Sequence, residues 1–81
     1  MKIEFIRGLD AWAWRMVKRL LASRKGEPSF DAMEAKYWLR TEFELFMDWH
    51  PIASILDELE REGKAERAGC NADGFVSYRI K

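Results

Sequence analysis

The last third of the chain constrains the fold more than any other segment. Residues 51–62 place apolar side chains at helical spacing, Gly63 follows them directly, and two short strand-like segments come next. A glycine in that position is typical of a helix end, and residues 71–74 (Asn-Ala-Asp-Gly) supply turn chemistry between the two segments. This order predicts an amphipathic helix, a glycine stop and a β-hairpin with strands at about residues 64–68 and 75–80.

The apolar positions in this segment predict which sides are buried. The stripe of the helix consists of Ile52, Ile55, Leu56 and Leu59. Alternation in the second strand places Val76, Tyr78 and Ile80 on one face, which we expect to pack against the helix. Asp48 is a suitable N-cap for this helix, and Pro51 is tolerated in its first turn.

A first helix is predicted from Leu9 or Asp10 to Ala22 or Ser23. Its buried face is expected to comprise Leu9, Trp12, Ala13, Met16, Val17 and Leu20, with Arg15, Lys18 and Arg19 on the opposite side. Residues 24–28, in which a glycine and a proline follow two cations, should end this helix. Residues 2–7 nearly alternate and are interpreted as a short strand or an extended arm.

A second helix is predicted to begin at a capping box. Asp31 and Glu34 form the Asp-x-x-Glu pattern in which each side chain bonds the other residue's backbone N–H. A second signal of this kind starts at Thr41, so we expect a break near Arg40 and a further helical turn to about Met47.

Length and composition favour one small domain over residues 1–81. The chain has 81 residues, of which 48% are hydrophobic, which is enough for a core without disulfides. Charged residues interrupt the N-terminal apolar stretch, so no signal peptide is predicted, and no run approaches the roughly 20 apolar residues of a membrane span. The lone Cys70 cannot form an intramolecular disulfide, and a reducing cytoplasm is the expected location.

The net charge is zero, but it is unevenly distributed. Residues 1–25 carry seven Lys/Arg against two Asp/Glu (+5), residues 26–62 carry three against ten (−7), and residues 63–81 carry four against two (+2). Basic ends around an acidic middle suggest two different faces. A solvated surface without functional polarity explains the same counts equally well.

Residues 55–67 (Ile-Leu-Asp-Glu-Leu-Glu-Arg-Glu-Gly-Lys-Ala-Glu-Arg) resemble the end of the recognition helix in the winged-helix (winged helix-turn-helix) family of DNA-binding domains. There a Leu-x-x-Leu-x-x-x-Gly pattern passes directly into the first wing strand, and here Leu56, Leu59 and Gly63 form it. With the first two helices, the resemblance covers nearly the whole chain. It implies a small α+β fold of three helices and a C-terminal two-stranded β-wing. It implies function less specifically, because winged helices also serve as protein-interaction modules.

Under this resemblance, the third helix enters the major groove and its exposed residues meet base edges. That side is predicted to carry His50, Ser54, Asp57 and Arg61, with His50 and Ser54 contacting bases and Arg61 a phosphate. Further phosphate contacts are expected from Lys64, Arg67 and Arg79 of the wing and from Arg15 and Lys18 of the first helix. Alternatively, all of these are ordinary solvent-facing residues, which Asp57 and Glu58 favour because carboxylates repel phosphates.

No pattern in the sequence predicts catalysis. His50 is the only histidine and has no Cys, Asp or Glu at metal-ligand spacing, so neither a metal nor a cofactor is expected. Cys70 is interpreted as an ordinary thiol, and the glutamates between residues 58 and 62 fit a solvated helix end better than acid–base chemistry. We therefore expect a non-enzymatic protein.

Aromatic residues give a second functional signal. There are eleven, four of them tryptophans. Trp14 lies beside the predicted core stripe, while Trp38 and Trp49 flank the acidic middle. Tryptophans often pack at a core rim, but an exposed set would mark an interface. These three are therefore candidate interface residues, either for a protein partner or for a homodimer through the first helix or the N-terminal arm.

Two functions are compatible with these features. The favoured one is a cytoplasmic, non-enzymatic protein that binds double-stranded DNA through the third helix and the wing, as a small bacterial or phage transcriptional regulator acting as a dimer. The alternative is a protein-binding winged helix whose acidic, aromatic middle docks a partner, as an inhibitor or a nucleic-acid mimic.

Overall fold

The structure is a computed structural model that describes residues 3–4, 11–26 and 28–81. Its elements are β1 (Ile3–Glu4), α1 (Ala11–Ala22), α2 (Ala32–Phe43), β2 (Leu45–Phe46), α3 (Trp49–Arg61), β3 (Ala65–Cys70) and β4 (Val76–Ile80). Three helices followed by an antiparallel hairpin make an α+β fold, and this layout is compatible with a small winged helix. Of the strand or arm predicted over residues 2–7, only β1 is described. Leu9 and Asp10, the predicted start of the first helix, lie outside the described residues.

α1 buries only part of the predicted stripe: Ala13 and Val17 are buried as expected, and Met16 and Leu20 pack partly buried against the core. Its buried residues are Ala13, Val17 and Leu21. Trp12, expected in the core, is instead 56% exposed. The face is turned because Trp14 and Lys18 reach across to α3, which brings the stripe that ends at Leu21 against the core. The prediction that Trp12 is a core residue and that Lys18 lies opposite the core was wrong for this reason.

α2 begins at the predicted capping box but does not break where expected. Asp31 accepts a hydrogen bond from the backbone of Glu34 at 2.8 Å, and the Glu34 side chain accepts one from the backbone of Asp31 at 3.2 Å. At Thr41 the hydroxyl donates back to the carbonyl of Tyr37 at 3.0 Å instead of capping a new helix. The predicted break near Arg40 is therefore wrong, and the helix runs on to Phe43.

The expected helical turn to Met47 is also replaced by a strand. Glu44 takes a left-handed conformation (φ 53°) and ends α2, and β2 then pairs in parallel with β1. This pairing joins segments about forty residues apart, which local patterns do not reveal. Leu45 of β2 and Met47, which follows the strand, bury their side chains in the core.

α3 follows the prediction closely. Asp48 occupies the N-cap position, although its side chain makes no capping hydrogen bond. The predicted stripe of Ile52, Ile55, Leu56 and Leu59 is fully buried. Gly63 (φ 76°) donates to the carbonyl of Glu60 at 3.0 Å, and Lys64 donates to that of Leu59 at 2.9 Å. This pair of bonds is a Schellman motif, and it turns the chain directly into β3.

The C-terminal hairpin is closed by the predicted turn. The side chain of Asn71 accepts hydrogen bonds from the backbones of Asp73 and Phe75, each at 3.0 Å. A β-bulge between Arg67 and Gly69 interrupts the register of β3 and β4. Tyr78 and Ile80 are buried, as the alternation in β4 predicted.

Phe30, which lies just before α2, pairs with the second strand of the hairpin. Phe30 exchanges two backbone hydrogen bonds with Tyr78, at 2.9 and 2.8 Å, and its own side chain is buried. The buried apolar side chains described come from α1, α2, β2, α3 and both hairpin strands, and they form one cluster. The hairpin is thereby held against α3, where the candidate surface lies.

Candidate nucleic-acid interface

The exposed side of α3 carries one line of polar residues. His50, Ser54, Asp57 and Arg61 recur at helical spacing on the side opposite the core stripe. His50, Ser54 and Arg61 are exposed, and Asp57 is half-buried. The Arg61 guanidinium lies 3.6 Å from the Asp57 carboxylate. We call these four residues the α3 stripe; its exposed residues are those predicted from the sequence.

Arg67 of the hairpin joins the α3 stripe. Its guanidinium lies 3.6 Å from Asp57 and donates to Glu60 at 3.0 Å. The hydrogen bond to Glu60 is the main reason that the pKa of Arg67 is raised. Arg67 pairs across the hairpin with Tyr78, whose buried side chain marks the face that points to the helices. Arg67 therefore emerges on the α3 side of the hairpin.

Arg79 lies on the other face of the hairpin. It pairs across the strands with Glu66, and the two side chains form a salt bridge of 3.2 Å. Neighbouring positions in a strand point to opposite faces, so Arg79 and Tyr78 point in opposite directions. The sequence grouped Arg79 with Arg67, but the structure separates them.

Lys18 and Lys64 belong to a cluster at another edge of α3. Lys18 contacts Glu62 and also donates to Glu58 at 3.1 Å, while Lys64 lies 3.4 Å from Glu62. The indole N–H of Trp14 donates to Glu58 at 2.6 Å. We call Trp14, Lys18, Glu58 and Glu62 the α1–α3 clamp, because they join the two helices. Periodicity did not reveal the clamp, since partners forty or more residues apart leave no local pattern.

The charges of the clamp support one another. The Trp14 indole, followed by Lys18, lowers the pKa of Glu58 below its ordinary 4.5, and Lys18 lowers that of Glu62. In return, the bond to Glu62 raises the pKa of Lys18 above 10.5. Lys18 was predicted to hold a DNA phosphate, but in the structure it already has two carboxylate partners.

Arg15 lies apart from the α3 stripe, on the outward face of α1. There it lines a shallow depression with Trp12, Met16 and Arg19. Neither arginine has an acidic partner within the described part of the chain. This face combines an exposed indole with two unpaired cations.

The three tryptophans proposed as interface residues are half-buried and have partners within the chain. Trp14 bonds Glu58, Trp38 meets the ring of Phe43 edge-to-face at 5.2 Å, and Trp49 stacks on His50 at 3.7 Å. Among the side chains that the structure describes, the large apolar ones that are exposed are Trp12, Tyr37, Phe43 and Phe46. Three of these four lie in α2 and β2, within the acidic middle. Tyr37, Phe43 and Phe46 were not among the predicted interface residues, because that prediction considered only tryptophans.

Among the residues described, no three His, Cys, Asp or Glu side chains are arranged to hold a metal ion. Cys70 is an exposed free thiol at the end of β3. Within the described ranges, none of the helices has the length and apolar character that crossing a membrane requires.

No protein-family model matches this chain, and neither does a curated protein or a solved structure. The family resemblance therefore stays a prediction from the sequence, whereas the layout of three helices and a hairpin is observed. What this surface binds has to be inferred from its own geometry and charge.

Proposed function

We propose that this protein is a non-enzymatic, cytoplasmic DNA-binding protein that acts as a small transcriptional regulator. The α3 stripe carries the proposal: His50 and Ser54 stand exposed on one line with Arg61, and Arg67 of the hairpin joins that line through Asp57. Short polar side chains on an exposed helix suit base edges, and flanking guanidinium groups suit phosphates. The exposed thiol of Cys70 fits a reducing compartment.

The carboxylates beside the stripe do not prevent phosphate binding. Arg61 and Arg67 are mostly exposed, and ion pairs of that kind contribute only about 0–1 kcal/mol each. A phosphate can therefore replace Asp57 or Glu60 as their partner at small cost.

The salt dependence of DNA binding tests this proposal. Binding of a mixed-sequence duplex should weaken steeply as salt concentration rises, because phosphate contacts release counterions. Arg67→Ala should lower the affinity and reduce the log–log salt slope by about one. Fluorescence anisotropy with labelled duplex, at several salt concentrations, measures both quantities.

Arg79→Ala is the matched control, since it removes the same charge from the opposite face of the hairpin. It should change affinity and slope less than Arg67→Ala does. If the two substitutions lower DNA affinity equally, only the net charge of the protein determines binding, and α3 does not lie against the DNA. Undetectable binding at low salt would end the DNA proposal.

A protein-binding function is the second candidate, and the exposed aromatic residues of α2 and β2 favour it. Tyr37 is 62% exposed, and Phe46 lies beneath the Arg40 guanidinium, 5.5 Å from its ring centre. Aromatic residues and arginine dominate binding hot spots.

Under this function, Tyr37→Ala should abolish capture of a partner and leave DNA affinity unchanged, measured by pull-down and anisotropy on the same samples. Loss of DNA affinity with Tyr37→Ala would instead place this face in the DNA-binding surface.

A further inference from the structure

A cavity of about 380 Å³ opens between α3 and the turn of the hairpin. Trp49 and Ala53 of α3, Ala32 of α2, and Phe75 and Tyr78 of the hairpin line it. Its volume falls within the range of small-molecule sites, and its lining is mostly apolar. None of these residues was predicted to form a ligand site.

Two aromatic rings form a corner of this cavity. The rings of Trp49 and Phe75 lie 5.0 Å apart between centroids and meet at 85°. Both residues pack against the core, so their positions are held by the fold. Aromatic rings carry negative potential on their faces and attract cations whose hydration shell is weak. His50 stacks on one face of Trp49, so only the uncovered ring faces can meet a cation.

Asp73 supplies the one charged side chain in the lining. Its backbone N–H donates to Asn71, which fixes the turn, whereas its carboxylate has no ion-pair or hydrogen-bond partner in the described part of the molecule. The carboxylates of the α3 stripe, the clamp and the hairpin strands each face a cation instead: Asp57, Glu58, Glu62 and Glu66. An unpaired carboxylate beside an aromatic corner gives the cavity a preference for positive charge.

We propose that this cavity binds a small organic cation, an ammonium group with apolar substituents. The apolar walls would take the substituents, while the rings and the Asp73 carboxylate would stabilise the charge. An anionic ligand is disfavoured because no cationic side chain lines the cavity. A bare divalent metal ion is disfavoured as well, because it requires several oxygen ligands and the lining offers one carboxylate.

Comparison of choline with 3,3-dimethylbutan-1-ol, its uncharged analogue of the same shape, tests the proposal. Two-dimensional ¹H–¹⁵N spectra of the full chain would be recorded during titration with each compound. Choline should shift the Trp49 indole signal and the amides of residues 73–75 in a saturable way, and the alcohol should bind about threefold to tenfold more weakly. Equal affinity for the two compounds, or no saturable shift with choline, would overturn the proposal.

Two variants separate the contributions of charge and aromatic wall. Asp73→Asn keeps the shape of the turn and should weaken choline binding about threefold to tenfold without changing the affinity for the alcohol. Phe75→Leu keeps an apolar wall and should weaken choline more than the alcohol. Glu42→Gln, which removes an exposed carboxylate on α2, is the charge-matched control and should leave choline binding unchanged.

If Asp73→Asn binds choline as tightly as the natural protein, the assignment of a cation site is wrong. Neither readout includes DNA, so this inference stands or falls independently of the proposed function.

Discussion

At the residue scale, Glu58 shows how one side chain can connect two helices. It accepts the Trp14 indole N–H at 2.6 Å and the Lys18 ammonium at 3.1 Å, and both donors come from α1. Trp14 is partly buried against the core, and its indole N–H has no other partner among the hydrogen bonds described. Glu58 therefore supplies the hydrogen-bond acceptor that this N–H requires. The orientation of α1 depends on these bonds, because they favour the face that carries Trp14 and Lys18 over the face that carries Trp12.

The acid sensitivity of folding tests the role of Glu58. Because its pKa is lowered in the folded protein, its contribution to stability is present above its ordinary pKa of 4.5 and is lost as the pH falls through the folded value. Unfolding free energy should therefore fall below about pH 4.5, and Glu58→Gln should flatten that fall. Urea denaturation followed by circular dichroism, from neutral pH to about pH 3, measures it. Glu42→Gln is the control, and a pH profile unchanged by Glu58→Gln would contradict the clamp.

At the element scale, Gly63 determines how α3 passes into the hairpin. Its left-handed conformation (φ 76°) lets residues 63 and 64 bond the last carbonyls of the helix, so that β3 starts at once. The space around it is open, since an added Cβ would meet nothing within 4 Å. The need for glycine is therefore a matter of backbone conformation and not of packing.

Substitution of Gly63 should cost stability without a steric clash. Gly63→Ala forces a residue with a Cβ into the left-handed region, at a cost of about 1–2 kcal/mol of unfolding free energy. Gly63→Asn should lose less, because asparagine tolerates this conformation better than alanine does. Thermal and urea unfolding of the two variants would check the order. A Gly63→Ala protein as stable as the natural one would show that the helix end can be rebuilt without the Schellman motif.

At the scale of the whole molecule, intramolecular pairing neutralises the α3 and hairpin surface. Asp57 faces both Arg61 and Arg67, Glu60 bonds Arg67, and Glu66 faces Arg79. Arg67 and Lys18 thus bring charge from the basic ends to carboxylates of the acidic middle, whereas Asp57–Arg61 and Glu66–Arg79 are pairs within one segment. The unpaired arginines of α1 lie elsewhere, on the outward face with Trp12. Under the proposed function, DNA approaching α3 would meet a balanced surface, and the carboxylates there should limit the affinity.

Removal of one of these carboxylates should therefore strengthen DNA binding. Asp57→Asn keeps the shape of the side chain and frees Arg61 and Arg67 from a negative neighbour, so affinity for duplex DNA should rise roughly twofold to fivefold at low salt. Glu42→Gln on α2 removes a charge of the same sign away from the α3 stripe and should have little effect. Anisotropy titrations of both variants, at matched salt, measure the difference. Unchanged or weaker binding by Asp57→Asn would mean that the α3 stripe does not meet the phosphates.

The sequence by itself determined those elements that depend on residues close together in the chain. The capping box of α2, the buried stripe and glycine stop of α3, and the turn and inward face of the hairpin all lie where the sequence placed them. In each case the signal is a capping residue, an apolar periodicity or a turn residue. Each of these signals depends on residues only a few positions apart in the chain. The exposed residues His50, Ser54 and Arg61 followed from the same periodicity.

Only the tertiary structure decided the features that depend on partners far apart in the chain. The phase of α1 depends on Glu58, forty-four positions beyond Trp14, and the end of α2 depends on the pairing of β2 with β1. Likewise, the separation of Arg79 from Arg67 and the cavity beside Trp49 depend on how the hairpin lies against α3. The physical reason is the same throughout: a local signal states which residues can be buried or paired, whereas the packed core selects the partner that each one meets.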